Sequence, residues 1–175
     1  MADRALLSVV CVNRPGLLRA LAACLAEAGC NLADTTFAAL AGTAEMTAIC
    51  DLPDGLARAD VAAVLSRLPA LAGAKVTLSA VERDDDAGVG AAHRISHRFE
   101  ITGVDAPGAM ARVVAAVEDA GAEIVRVNAH AFPSGGARLH VMRFAVAAGD
   151  RAEAVLAAAT EAARALGHEI RVETA

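Results

Sequence analysis

Apolar positions run together from Ala5 to Val12 (ALLSVVCV), a short valine-rich stretch suited to a central strand. Asn13-Arg14-Pro15-Gly16 then breaks the run. Proline suits the first turn of a helix, where its missing N–H would have no partner anyway. The Asn13 side-chain oxygen can turn back onto the free amides of that turn. Leu18, Leu21, Leu25 and Ala28 follow at helical spacing, and Gly29 supplies a left-handed stop. Two strands come next, Asn31 to Leu40 and Thr43 to Leu52, around an Ala41-Gly42 tip. A second helix carries Val61, Val64, Leu65 and Leu68 on one face, and a strand from Lys75 to Val81 closes the pattern.

The whole pattern then returns. Val104-Asp105-Ala106-Pro107-Gly108-Ala109 repeats Val12-Asn13-Arg14-Pro15-Gly16-Leu17 at a distance of 92 positions. Asp119-Ala120-Gly121-Ala122-Glu123-Ile124 repeats Glu27-Ala28-Gly29-Cys30-Asn31-Leu32 at the same offset. Met110, Val113, Val117 and Ala120 fill the matching helix face. Strands Glu123 to Phe132 and Arg138 to Val146 flank Pro133-Ser134-Gly135-Gly136; a helix with Val155, Leu156, Ala159 and Ala163 and a strand from His168 to Val172 follow. Each half reads β-α-β-β-α-β. The predicted fold class is therefore α+β: two ferredoxin-like units, each an antiparallel sheet with two helices on one face. We place the first unit at 1–82, a linker with Asp84-Asp85-Asp86 at 83–93, and the second unit at 94–175. Units this small have marginal cores, and each sheet keeps one face without helices. Both points favour pairing between units or chains.

Composition narrows the function. The balance of 16 basic and 21 acidic residues gives a net charge of −5, which argues against a direct grip on nucleic-acid phosphates. There is no Trp or Tyr and there are only four Phe, too few for the stacking platforms of single-strand binders. Any role at DNA would need a partner. Cys11, Cys24, Cys30 and Cys50 all fall in the first half among apolar neighbours, and read as buried thiols in a reducing cytosol. The start of the chain lacks a basic-then-apolar leader, and its apolar run is too short to span a bilayer, so a soluble cytoplasmic protein is expected.

Catalytic and metal chemistry find little support. No glycine-rich phosphate loop, paired metal cysteines or nucleophile motif is present. His130 and His140 would face each other if the second hairpin turned on Gly135, and His93 and His97 lie four apart. Such pairs would need further ligands to close a metal site, so solvated or hydrogen-bonded histidines are expected and no metal or cofactor is assigned. Cys11 adjoins the first loop without a matching base or acid. Arg14, Arg19 and Arg126 can help an anion dock, although scattered arginines ordinarily cover surface.

Asn13-Arg14-Pro15-Gly16-Leu17 resembles the strand-to-helix loop of ACT domains, and Gly29-Cys30-Asn31-Leu32 resembles their entry to the second strand. The likeness extends over nearly the whole chain, as a tandem ACT-domain protein. Within the family it runs to the group of glycine cleavage system transcriptional repressors, through Gly29-Cys30-Asn31-Leu32-Ala33-Asp34 and the Leu40-Ala41-Gly42-Thr43 tip. The resemblance implies a regulatory module that holds a small amino acid, glycine or serine-like, at the seam between paired units. The implied site takes Asn13, Arg14, Pro15, Gly16 and Leu17 from one loop, with Asp105, Ala106, Pro107, Gly108 and Ala109 from the other. Asn31, Leu32, Glu123 and Ile124 supply the facing strand starts.

The chemistry fits that placement. A helix N-terminus presents unpaired amides and partial positive charge to a carboxylate. Asn13 and Asn31 carry both donors and acceptors, so each can read a zwitterion. Asp105 and Glu123 replace them in the second half, accepting from an ammonium but repelling a carboxylate. Paired across a pseudo-twofold, the Asn13 loop would face Glu123 and the Asp105 loop would face Asn31. Asn or Asp before Pro-Gly is equally good helix-start chemistry with no ligand at all. Three classes thus stand: a ligand sensor working through a DNA-binding regulator or other protein partner, a ligand-free assembly module, and an enzyme. The third lacks a catalytic constellation, and a non-enzymatic homodimer is expected.

Overall fold

Alternation of buried and exposed residues makes β1 (Asp3–Val12) a central strand: Ala5, Leu7, Val9 and Cys11 point into the core, and Leu6, Ser8 and Val10 point away. The structure, a computed structural model, describes residues 3–81 and 94–174. It divides into two compact units, Met1–Ala87 and Gly88–Ala175. The linker expected at 83–93 lies outside the described residues.

In the first unit, β1 is followed by α1 (Leu17–Glu27), β2 (Asn31–Leu40), β3 (Thr43–Leu52), α2 (Arg58–Ser66) and β4 (Lys75–Ala80). In the second, β5 (His97–Val104) leads to α3 (Ala109–Asp119), β6 (Glu123–Ser134), β7 (Ala137–Ala147), α4 (Ala152–Ala165) and β8 (Glu169–Thr174). The sheets have the orders β2-β3-β1-β4 and β6-β7-β5-β8, antiparallel throughout. Both units are ferredoxin-like, and the class is α+β.

Each core lies between the sheet and its helices. Leu7, Leu21, Leu25, Met46 and Leu65 fill the first. The second is partly aromatic: Phe99 and Phe144 are register partners and stack with centroids 5.0 Å apart. Both first helices stop as expected. The Cys30 N–H reaches back to the Leu25 carbonyl (2.9 Å), and Ala122 to Val117 (3.2 Å), the six-residue closure that follows a glycine at the helix end.

Several expectations need correction. The buried face of α1 is Leu17, Leu21, Cys24 and Leu25, while Leu18 is exposed; the Pro-Gly turn starts the helix one position earlier in phase than the spacing of Leu18 implied. Val64 is likewise exposed beside buried Val61 and Leu65. The second hairpin is tighter than expected, because Ser134 pairs with Ala137 and only Gly135-Gly136 turns, with both φ positive. That register pairs His130 with Val141 and His140 with Ala131. The two histidines therefore stand on opposite sheet faces and cannot form a pair. His93 lies outside the described residues.

Candidate ligand-binding loops

Pro15 and Gly16 occupy the two central positions of a turn closed by the Leu17 N–H on the Arg14 carbonyl (3.1 Å). Gly16 has φ 81° and ψ 0°, the third-position geometry of a type II turn, which L side chains seldom adopt. Ala106-Pro107-Gly108-Ala109 repeats it, with Gly108 at φ 80° and Ala109 N–H on Ala106 O (3.2 Å). A Cβ on either glycine would meet no atom within 4 Å, so conformation requires glycine at both places and open space lies beside both loops.

Each loop is anchored from below. The Asn13 N–H donates to the Gly42 carbonyl at the β2–β3 tip (2.8 Å), and the Asp105 N–H donates to Arg138 O at the matching place (2.8 Å). Neither helix has a side-chain cap, so Asn13 does not turn back onto the first-turn amides as its position suggested. The turn takes Leu17 N–H with a backbone carbonyl instead, and the Asn13 side chain stays exposed without a partner among the described residues. Leu18 and Arg19, like Met110 and Ala111, keep amide groups with no backbone acceptor among the described residues. Leu17 and Ala109 themselves are buried with their amides spent, so they fix the loop.

The facing strand starts lie elsewhere. Val12 pairs with Thr43 and Asn31 with Asp51, so Asn13 and Asn31 are separated by roughly 27 Å of strand within one unit. No single unit unites loop and strand start. Asn31 is exposed and Leu32 half-buried, as are Glu123 and Ile124 in turn. A bulge follows at once in both units, between Leu32 and Thr35 and between Ile124 and Arg126. Such an extra residue bends the strand and re-aims its side chains. Residue order does not signal either bulge.

The two acids of the second unit are not free. Arg138 Nε lies 2.9 Å from Asp105 Oδ2, and His140 Nδ1 lies 3.8 Å from Asp105 Oδ1. Arg94 grips Glu123 through both of its terminal nitrogens, at 3.2 and 3.3 Å. The two arginines offset the repulsion that bare carboxylates would exert on a ligand carboxylate. Arg94, Arg138 and His140 are the site neighbours that sequence reading missed.

Below the second loop sits a further difference. His168 is buried, and its Nε2 donates to the Val104 carbonyl (2.9 Å), which assigns the proton to that nitrogen. A Cβ on Gly103 would fall 1.3 Å from His168 Cδ2, so glycine makes the space for the ring. Register places Cys11, Ala44 and Ala74 in the first unit where Gly103, His140 and His168 stand in the second.

The four thiols are free and buried. Burial, then Cys30 and Asp51 nearby, pushes Cys50 up to about 11. Burial also raises Cys24 and Cys30. Thiols so protonated are poor nucleophiles. Among the described residues no three His, Cys, Asp or Glu side chains are grouped to hold a metal, and no helix is long and apolar enough to cross a membrane.

Residues 3–78 match the family model of the ACT domain. The crystal structure of an unknown protein from Galdieria sulphuraria shares the fold with a TM-score of 0.80 at 20% identity, over 100% of this chain and 99% of that one. A candidate glycine cleavage system transcriptional repressor shares it with a TM-score of 0.65 at 13% identity, over 100% and 98%. No curated protein matches the chain in sequence.

Proposed function

We propose, from the match of residues 3–78 to the ACT domain model, that the protein is a non-enzymatic regulator that senses a small amino acid, glycine or serine-like. The ligand carboxylate lies on the uncapped amides of a Pro-Gly loop, and its ammonium meets the start of β2 or β6 from a paired unit. The observation that carries this reading is the twice-built turn: an uncapped helix start beside open space, with glycine held at positive φ. Crossed pairing of the units sets the Asn13 loop against Glu123 and the Asp105 loop against Asn31. A homodimer extends the same pairing between chains.

Binding acts through unequal affinity for two arrangements of the units, which a protein partner then reads. With a net charge of −5 the chain is a poor match for DNA phosphates, so transcriptional control of glycine cleavage would pass through a DNA-binding regulator. Calorimetric titration of the full chain with glycine, serine and alanine, beside phenylalanine as a bulky reference, tests the sensor. Saturable heat with the small amino acids and a raised melting midpoint are expected. No heat with any of them would leave the second reading, a ligand-free assembly module. That reading draws on the ion pairs that occupy Asp105 and Glu123.

A further inference from the structure

The sheet face away from the helices carries opposite chemistry in the two units. In the first, its central rows are Ile49–Leu6–Ser79 and Thr36–Thr47–Ser8–Thr77, without a charge. Register places Arg126–Ala145–Arg98–Glu173 and Asn128–Arg143–Glu100–Arg171 at the corresponding rows of the second. Four guanidiniums thus share a face with two carboxylates, in a chain of net charge −5. Glu100 is already committed, with Arg143 Nη2 2.7 Å from its Oε2. Arg98, Arg126 and Arg171 have no carboxylate partner among the described residues.

This face is also hollow. Ala145 is on the open side yet only 7% exposed, a methyl floor with an arginine on either hand. Two strand spacings separate Arg98 from Arg126, roughly 10 Å between backbones, which side chains of that length can close on one ligand. The trough they rim has a volume of about 400 Å³, in the range of small-molecule sites.

We propose that this trough binds a small molecule bearing an oxyanion pair, either a phosphate ester or a dicarboxylate, between Arg98 and Arg126 above Ala145. The guanidinium fork matches the oxygen spacing of both groups and gives charge-assisted, two-point contacts. Arg143 and Asn128 border the same hollow one row along. A second copy of the same face is a poor occupant, because its excess positive charge repels itself. The site is independent of the Pro-Gly loops, so it stands or falls apart from amino-acid sensing.

Amide NMR of the full chain at constant ionic strength tests it, with inorganic phosphate and succinate as probes and chloride as reference. Saturable movement of the Arg98, Arg126 and Ala145 amides with phosphate assigns the phosphate-ester class, and with succinate the dicarboxylate class. The R98Q/R126Q variant, altered only in exposed side chains, should bind about tenfold or more weakly, while R164Q on α4, also exposed, is unchanged. The proposal is overturned if neither probe saturates below about 10 mM. Equal movement with chloride, or undiminished binding by R98Q/R126Q, overturns it as well. Binding of polyglutamate but of neither small anion would make the face a protein-docking surface instead.

Discussion

The two units share one backbone plan and differ in what they do with it. The first packs aliphatic side chains and four thiols in its core, leaves Asn13 unpartnered at its loop, and shows hydroxyls on its open face. The second stacks two phenylalanines in its core, holds its loop acid in an ion pair, and shows arginines on the equivalent face. Turn geometry has been kept while the surrounding charges have changed. The backbone amides are thus the common element of the candidate sites, and side chains set each apart.

The largest expected effect breaks the second unit alone. Gly103→Ala drives a methyl into the His168 ring and should cost roughly 3 kcal/mol in denaturant unfolding of that unit. Cys11→Ala, at the equivalent place, should cost clearly less. Pairing Gly103→Ala with His168→Ala should recover much of the loss, because the clash is with that ring. No recovery would mean that the space under Gly103 serves something else.

Alkaline pH should weaken the first unit selectively. Cys50 stays protonated in the folded chain up to about 11, while the unfolded chain loses that proton from about 9.0. The unfolded state then binds fewer protons, so stability is complete below that window and falls as pH rises through it. The second unit has no cysteine and should show no such thiol-linked loss. Melting followed at pH 8 to 11, with Cys50→Ala as the comparison, reads the difference.

Gly16→Ala and Gly108→Ala probe which loop works. Each should cost about 1–2 kcal/mol in stability, since the backbone is left-handed and the space is otherwise open. Calorimetry of each variant then assigns the amino-acid site: loss of binding with one substitution and retention with the other identifies the active loop. The smallest effect is expected from Asp105→Asn, which removes a partly exposed pair with Arg138 and should change stability by less than about 1 kcal/mol. By restoring the amide of the first unit, it should bring the two loops closer in ligand preference.

Much of this was readable from residue order. Proline, glycine and helical spacing announced both copies of β-α-β-β-α-β, because turn chemistry is local. Leu18 misled because the Pro-Gly turn shifts the phase of α1, and Asn13 misled because a backbone carbonyl took the amide its side chain could have taken. Pro133 suggested a wide second hairpin, yet it sits in β6 opposite Arg138, and two glycines alone make the turn. The pairs Arg94–Glu123 and Arg138–Asp105 were not legible, since residues about 30 positions apart meet only once strand register is known. The bulges of β2 and β6 left no trace for the same reason.

The outermost strands have a consequence of their own. β2 and β6 each border a sheet, and a bare border of amides and carbonyls can recruit any extended segment that drifts by. In β6, Pro133 withholds an N–H and Arg126 and His130 break up the apolar run. The stretch Thr35-Thr36-Phe37-Ala38-Ala39-Leu40 in β2 has no charge and no proline. If the chain ever forms fibrils or swaps strands between copies, the seed should come from that hexapeptide.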